Sequence, residues 1–389
     1  MRTVLTAEKL LNGTTLLDHP VILIEDGRIE SIDSQASSEQ PSAVGDRVLH
    51  YPNATLAPAF LDVHIHGAAG HDVMEATPQA LSTIGRFLAA HGTGSYLATT
   101  VTASLDATFR ALSGLARLLA QPPDPAQVAA WPIGIHLEGP FLSHAKRGVQ
   151  PAEYLLAPDI ALFDRFFEAA EGHIRLMTLA PELPGAVELT AHAIARGVRV
   201  SLGHSNATAA ETRSAIAAGA VSATHTFNAM RPLDHHEPGV LGIVLSTDSL
   251  FAELICDGVH NKPELVKIWW RSKGPDRAIL VTDAMSATGM PDGEYQLGGF
   301  MVHVAKGKAS LGDVLAGSVL TLDRALANFL RFTGASLEQG LRLLTANPAR
   351  MTGLSHYAGS LAVGQPANLV AVDATGNLVA AILNGKLAS

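Results

Sequence analysis

Two histidines at alternate positions, His64 and His66, close the apolar run "LDVHIHG" (61–67) and stop at Gly67. Alternate residues of a strand share a face, so a strand here would aim both imidazoles at one place. Similar endings recur down the chain. His136 and Glu138 end "PIGIHLEGP", His204 ends "VRVSLGHSN" and His225 lies in "AVSATHTFNAM". Asp257 and His260 end "FAELICDGVH", and Asp283 ends "AILVTDAMS". Imidazole nitrogens and carboxylate oxygens are the donors that hold Zn²⁺ and similar divalent ions. One histidine at a strand end is ordinarily structural, but a convergent series makes a metal site. Such an ion lowers the pKa of bound water toward about 7. The chemistry expected is therefore hydrolysis, with an acid such as Asp283 available to move the proton.

The elements that must bring these residues together are short β-type runs: "FLDVHIHG", "GSYLATTVT", "PIGIHLEGP", "IRLMTLAPE", "VRVSLGHSN", "AVSATHTFNAM", "FAELICDGVH" and "AILVTDAMS". Amphipathic helical stretches separate most of them. Residues 77–91 open with Thr77 as N-cap and Pro78 at N1, and residues 208–218 close at Gly219. Eight strands alternating with helices predict an α/β fold, a parallel (β/α)8 TIM-type barrel, whose active sites form at the C-terminal ends of the strands. A doubly wound open sheet is the alternative, but no G-x-G-x-x-G follows the first strand. Both chain ends read differently. "VILIEDGRIESID" is a hairpin about Asp26-Gly27, and "GSLAVGQPANLVAVD" and "LVAAILNGK" repeat the strand–turn–strand style. They predict a small β-sandwich domain built from residues 1–56 and 355–389 beside a barrel at 57–354. The polar stretch 34–46, "SQASSEQPSAVGD", reads as a surface loop or linker.

Composition narrows the partners. The 389 residues are 47% hydrophobic and 16% charged, enough to bury a large core. The net charge of −9, with no cluster of Lys or Arg, argues against nucleic acid or an anionic membrane surface. Cys256 is the single cysteine, so no intramolecular disulfide forms. The N-terminus lacks a signal-peptide pattern, and no apolar run approaches the roughly 18 residues of a membrane span. A cytoplasmic protein is expected.

The ordered motifs resemble the amidohydrolase superfamily. The narrower series, "HLEGPF", "LGHSNA", "THTFNAM", "EPG", "DGVH", "VTDAMSATG" and "LAGS", resembles its N-acetylglucosamine-6-phosphate deacetylase family over essentially the whole chain. The resemblance implies hydrolytic N-deacetylation of a small amino-sugar phosphate. It implies a divalent metal, Zn foremost with Fe, Co or Mn as alternatives, held by Glu138, His204 and His225. The fourth strand, "IRLMTLAPE", carries no lysine to bridge two ions. His64 and His66, with Asp283 and Glu138, are then candidates for a second ion. An unoccupied, hydrogen-bonded half-site remains open for that pair. Asp283 is implied as the base that takes the water proton and returns it to the leaving amine, with a purely ligating role as the other reading. Relatives are commonly dimers, so a homodimer is expected.

Substrate contacts implied by the resemblance are Val149, Gln150, Asn228, Ala229, His260 and the backbone of Leu315, Ala316 and Gly317. One position departs from the family. An arginine that binds the sugar phosphate usually precedes "EPG", and here that residue is His236. An imidazole of ordinary pKa about 6.5 is only partly charged at neutral pH and lacks the two-pronged guanidinium geometry. Either His236 acts as a weaker anion contact or Arg231 reaches in. The departure keeps open an unphosphorylated or epimeric N-acetyl amino sugar, or an N-acyl-D-amino acid, as substrate. A non-catalytic sugar-binding protein is a further, less favoured alternative.

Overall fold

A computed structural model describes residues 2–35, 46–121, 124 and 127–388. Eight strands form the central sheet: β1 (Phe60–Ile65), β2 (Thr93–Thr100), β3 (Trp131–Glu138), β4 (Ile174–Leu179), β5 (Arg199–Leu202), β6 (Ser222–Ala223), β7 (Phe251–Ile255) and β8 (Ala278–Val281). They pair in chain order, each parallel to the next. The ends meet where Asp283 N donates to His64 O (2.9 Å) and His66 N donates to Ala284 O (2.8 Å). The expected (β/α)8 barrel is thus present, and its seam is closed by residues of the strand-end series. Strand β1 is buried along its whole length, because barrel strands face the interior on one side and the helical ring on the other.

Local signals set the helices. Thr77 Oγ1 accepts from Ala80 N and caps the helix Pro78–Ala90. Thr208 and Glu211 form a reciprocal capping box on Ala209–Ala217. Trp269, in the helix Pro263–Arg277, is fully buried and meets Phe329 edge-on, so it serves packing. Cys256 is buried just past β7, and burial pushes its thiol pKa far up.

The two chain ends share one sheet. Arg2–Asn12 pairs parallel with Arg47–Pro58, which pairs antiparallel with Leu369–Asp373. Leu5, Leu10, Ile22, Leu56, Leu369 and Ile382 form its core. Asp26 and Gly27 turn the hairpin between Pro20–Glu25 and Arg28–Ser34, both with positive φ (49° and 80°), the geometry of a two-residue hairpin turn. Arg47–Pro58 runs across the 56/57 boundary expected from sequence. Residues 36–45 of the supposed linker lie outside the described residues. One element was not anticipated: Gly293–Leu297, Phe300–Ala305, Lys308–Leu311 and Val314–Leu315 form a four-stranded antiparallel sheet inserted after β8. Its Leu297, Val302, Val304 and Ala309 share a small core with Val101, Met285 and Ala287 of the barrel mouth.

Candidate active site and metal centre

The C-terminal strand ends carry two groups of possible ligands, His64, His66 and Asp283, and Glu138, His204 and His225. Within each, the ligand atoms lie inside 4.8 Å of one another, and all six residues are buried. Three of these side chains project from backbone in the left-handed region: His204 (φ 47°), His225 (φ 31°) and Asp283 (φ 51°). Such conformations cost on the order of 1–3 kcal/mol each and persist only where surrounding structure holds them. Here they turn donors inward just beyond β5, β6 and β8.

The outward Nδ1 atoms of His66, His204 and His64 are tied down, while that of His225 is buried without a partner. His66 Nδ1 is 3.0 Å from Thr99 O, and His204 Nδ1 is 3.0 Å from Lys146 O. A carbonyl oxygen only accepts, so the proton sits on Nδ1 and each Nε2 offers a lone pair to the centre. His64 Nδ1 lies 3.3 Å from the carboxylate of Glu253, a fully buried acid on β7. Glu138 Oε1 stands 3.3 Å from both His204 Nε2 and His225 Nε2, which are 3.1 Å apart. Ligands at the usual 2.0–2.1 Å from a tetrahedral ion stand about 3.3 Å apart, and these three spacings match that. Glu138 Oε1 and His64 Nε2 are buried with no hydrogen-bond partner, a costly arrangement that a shared cation satisfies. The donor set therefore fits a divalent metal. On the other side His66 Nε2 is 3.1 Å from Asp283 Oδ1 and 3.4 Å from Glu138 Oε2. Glu138 thus touches both groups. Burial would raise the pKa of Glu138 and Asp283, but the surrounding imidazoles, His64 foremost, hold both below the usual carboxylate range.

His136, part of the strand-end series, goes elsewhere. Its Nε2 meets Thr178 Oγ1 at 2.8 Å and begins a hydroxyl chain through Thr224 to Ser201. Burial drives its pKa well below the ordinary value, so it stays neutral, packed edge-on against His64.

A cavity of about 460 Å³ opens over this floor. Of the sequence-predicted contacts, Val149, Gln150, Asn228, Ala229, His260, Leu315 and Gly317 line it, beside His66, Glu138, His204, His225 and Asp283. Gln150 bridges inward, donating to Glu138 Oε2 (3.1 Å) and accepting from Thr102 N (2.8 Å). His260 Nδ1 is held by Asp257 Oδ2 at 2.7 Å. Three predicted residues lie off the lining. Ala316 is fully buried, and its N–H donates to Ala309 O. His236 is exposed with its ring tilted against that of His235, its backbone N–H held by Asp234. Arg231 runs alongside Gly239. In the single chain neither cation weighed for the phosphate reaches the cavity.

Other residues of the site were not anticipated from the sequence. Lys146 lines the cavity, as do Leu297, Phe300, Asp313 and Val314 of the inserted sheet. Lys146 stands in the run "HAKRGVQ" two residues from Gly148, a visible cation in a motif otherwise read for its glutamine. Glu253, the only acid in the apolar run "FAELIC", was the signal available for the buried carboxylate behind His64.

Comparison with known proteins agrees with this geometry. The amidohydrolase family matches residues 55–388. An N-acetylglucosamine-6-phosphate deacetylase of Lysinibacillus sphaericus is 38% identical over 353 residues, spanning 90% of this chain and 89% of that protein. An N-acetylgalactosamine-6-phosphate deacetylase of Escherichia coli O157:H7 is 37% identical over 392 residues, spanning 100% of both. Among solved structures, a mutant N-acetyl-D-glucosamine-6-phosphate deacetylase from Mycobacterium smegmatis, in complex with N-acetyl-D-glucosamine-6-phosphate, superposes with a TM-score of 0.90. It is 36% identical and covers 100% of this chain and 99% of that one.

Proposed function

This chain belongs to the amidohydrolase family, and from that premise we propose that it hydrolyses N-acetylglucosamine 6-phosphate to glucosamine 6-phosphate and acetate. The observation that carries the reading is the convergence of Glu138, His204 and His225 with His64, His66 and Asp283 on the floor of one cavity of about 460 Å³. Glu138, His204 and His225 would hold a divalent ion, Zn²⁺ by donor type, and His64, His66 and Asp283 a second one. When bound, such an ion supplies Lewis acidity, polarising a carbonyl and making water acidic enough to attack near neutral pH.

The chain's own residues do the rest. Asp283, ionised and 3.1 Å from His66, accepts the proton of the attacking water and returns it to the amine nitrogen, because an amine leaves poorly unless protonated. Gln150 fixes the Glu138 carboxylate by a bond to Oε2. Asn228, Ala229 and His260 contact the sugar phosphate, and Lys146, lining the same cavity, takes the place of the family's arginine. Phe300 and Leu297 of the inserted sheet cover the sugar and keep water off it.

The galactosamine epimer is a second reading, supported by the likeness over full length to an N-acetylgalactosamine-6-phosphate deacetylase. We take the enzyme to be cytoplasmic, since a phosphorylated sugar does not cross a bilayer unaided. We also take it to be a homodimer, with the exposed loop of Leu233, His235 and His236 as the facing surface. Light scattering of the purified chain tests the dimer.

The functional test is acetate release from both 6-phosphates and from plain N-acetylglucosamine, before and after chelation and zinc return. Preferential, chelator-sensitive release from one 6-phosphate is expected. Equal turnover of the plain sugar would overturn the phosphate reading, and turnover indifferent to chelation would overturn the metal reading.

A further inference from the structure

At the opposite end of the barrel a separate cavity of about 390 Å³ opens beneath the N-terminal ends of β4 and β5. Arg175 and Arg199, near the starts of those strands, line it together with Thr352, Gly353, His356 and Tyr357. None of its ten lining residues is acidic. Among the described residues neither guanidinium has a hydrogen-bond or ion-pair partner, and the Arg175 Nε is buried without an acceptor. The Arg175 stem is wedged against Gly134, where even a Cβ would stand 2.4 Å from Arg175 Cγ, so the side chain is fixed at this place. Arg199 lies under Gly353, which ends the helix Ala346–Thr352. The negative end of that helix accounts for Arg199 alone. It leaves Arg175 unaccounted for.

Two like-charged guanidinium groups on one concave wall, that of Arg175 with no acceptor at all, repel each other, and a planar fork of donors fits phosphate oxygens in pairs. We propose that this cavity is an anion site for a phosphate group, either free phosphate or a phosphate ester, distinct from the catalytic cavity. Arg175 and Arg199 grip the phosphate oxygens, and His356 and the Tyr357 hydroxyl close the rim. The site is independent of the reaction assigned above. Whatever occupies the upper cavity, the lower one takes its ligand through residues at the other ends of the strands.

The test is thermal unfolding of the metal-loaded protein in inorganic phosphate, and separately in glucosamine 6-phosphate, each against chloride at matched ionic strength. Saturation at roughly ten times Kd raises the midpoint by about 2 °C for a chain of this size. The double variant Arg175→Gln with Arg199→Gln is expected to lose at least half of that rise while keeping its midpoint in chloride and its deacetylase activity. A loss in phosphate alone assigns the site to free phosphate, and a loss in both assigns it to phosphate groups generally. An unchanged rise in both ligands overturns the proposal. A second measurement needs no variant: tungstate soaked into wild-type crystals should give an anomalous peak between the two guanidinium groups, and a peak in the upper cavity alone overturns it.

Discussion

Replacing Glu253 by Gln tests how the centre is held. Glu253 is fully buried on β7, and its Oε2 lies 3.3 Å from His64 Nδ1. That distance is slightly beyond the usual N–H···O range, so the bond belongs in the lower part of the range for charged partners, about 1.5–2.5 kcal/mol. At about 1.4 kcal/mol per factor of ten, losing the bond outright should weaken binding of the ion proposed for His64, His66 and Asp283 by roughly 10- to 60-fold. That agrees with the usual 10- to 100-fold effect of removing a partner behind a metal-binding histidine. Glutamine keeps the volume and can still turn its oxygen toward His64, so about tenfold is the expected loss. Binding at Glu138, His204 and His225 should change much less, since Glu253 reaches that group only through a long contact to the His225 backbone N–H, 3.4 Å. The assay is equilibrium dialysis against chelator-buffered zinc, with metal counted by mass spectrometry, beside a thermal melt. A native melt with zinc affinity within twofold of wild type at every ion would refute the reasoning and make Glu253 an ordinary core acid.

Other expectations follow from the same geometry. Asp283→Asn should lower kcat by about 10²–10⁴ while zinc remains at His204 and His225; unchanged turnover would remove Asp283 from proton transfer. Lys146→Gln should cost about 10- to 100-fold in kcat/KM on the 6-phosphate and nothing on the plain sugar, and equal losses on both would show a structural role. Trp269→Ala should destabilise the barrel by about 3–5 kcal/mol, read as a lower urea midpoint. Burial would raise the Asp373 carboxyl, but the combined bonds from Asn377 and Thr375 bring it down to about 2 from the ordinary 3.8. A depressed acid contributes stability above its unfolded pKa and loses it as pH falls through the folded one. Between pH 4 and 2 the wild type should therefore lose stability faster than Asp373→Asn; parallel slopes would discount those bonds.

The sequence by itself determined the barrel and most of the floor of its site. Strand runs alternating with capped helices leave few topologies, and parallel strands must run together, so donors at their ends meet at one mouth whatever the details. Strand-end position brings His64, His66, Glu138, His204, His225 and Asp283 together. It also gathered His136, which only the interior packing gave to Thr178 instead. Tertiary structure alone decided which side chains stand behind and around these donors. A strand buried on both faces has no polar alternation, so "FAELIC" does not say which way Glu253 points; its partner His64 is 189 residues away. The inserted sheet at 293–315 lines the cavity because it packs against Val101, Met285 and Ala287 at the barrel mouth, contacts with no local signature. Resemblance around "EPG" gave His236 the phosphate position, yet it is exposed outside the cavity, while Lys146 lines the cavity from another loop. Local propensity and spacing write the strand ends into the sequence, but which side chains meet there depends on closing the barrel, and that is settled by contacts between residues far apart in the chain.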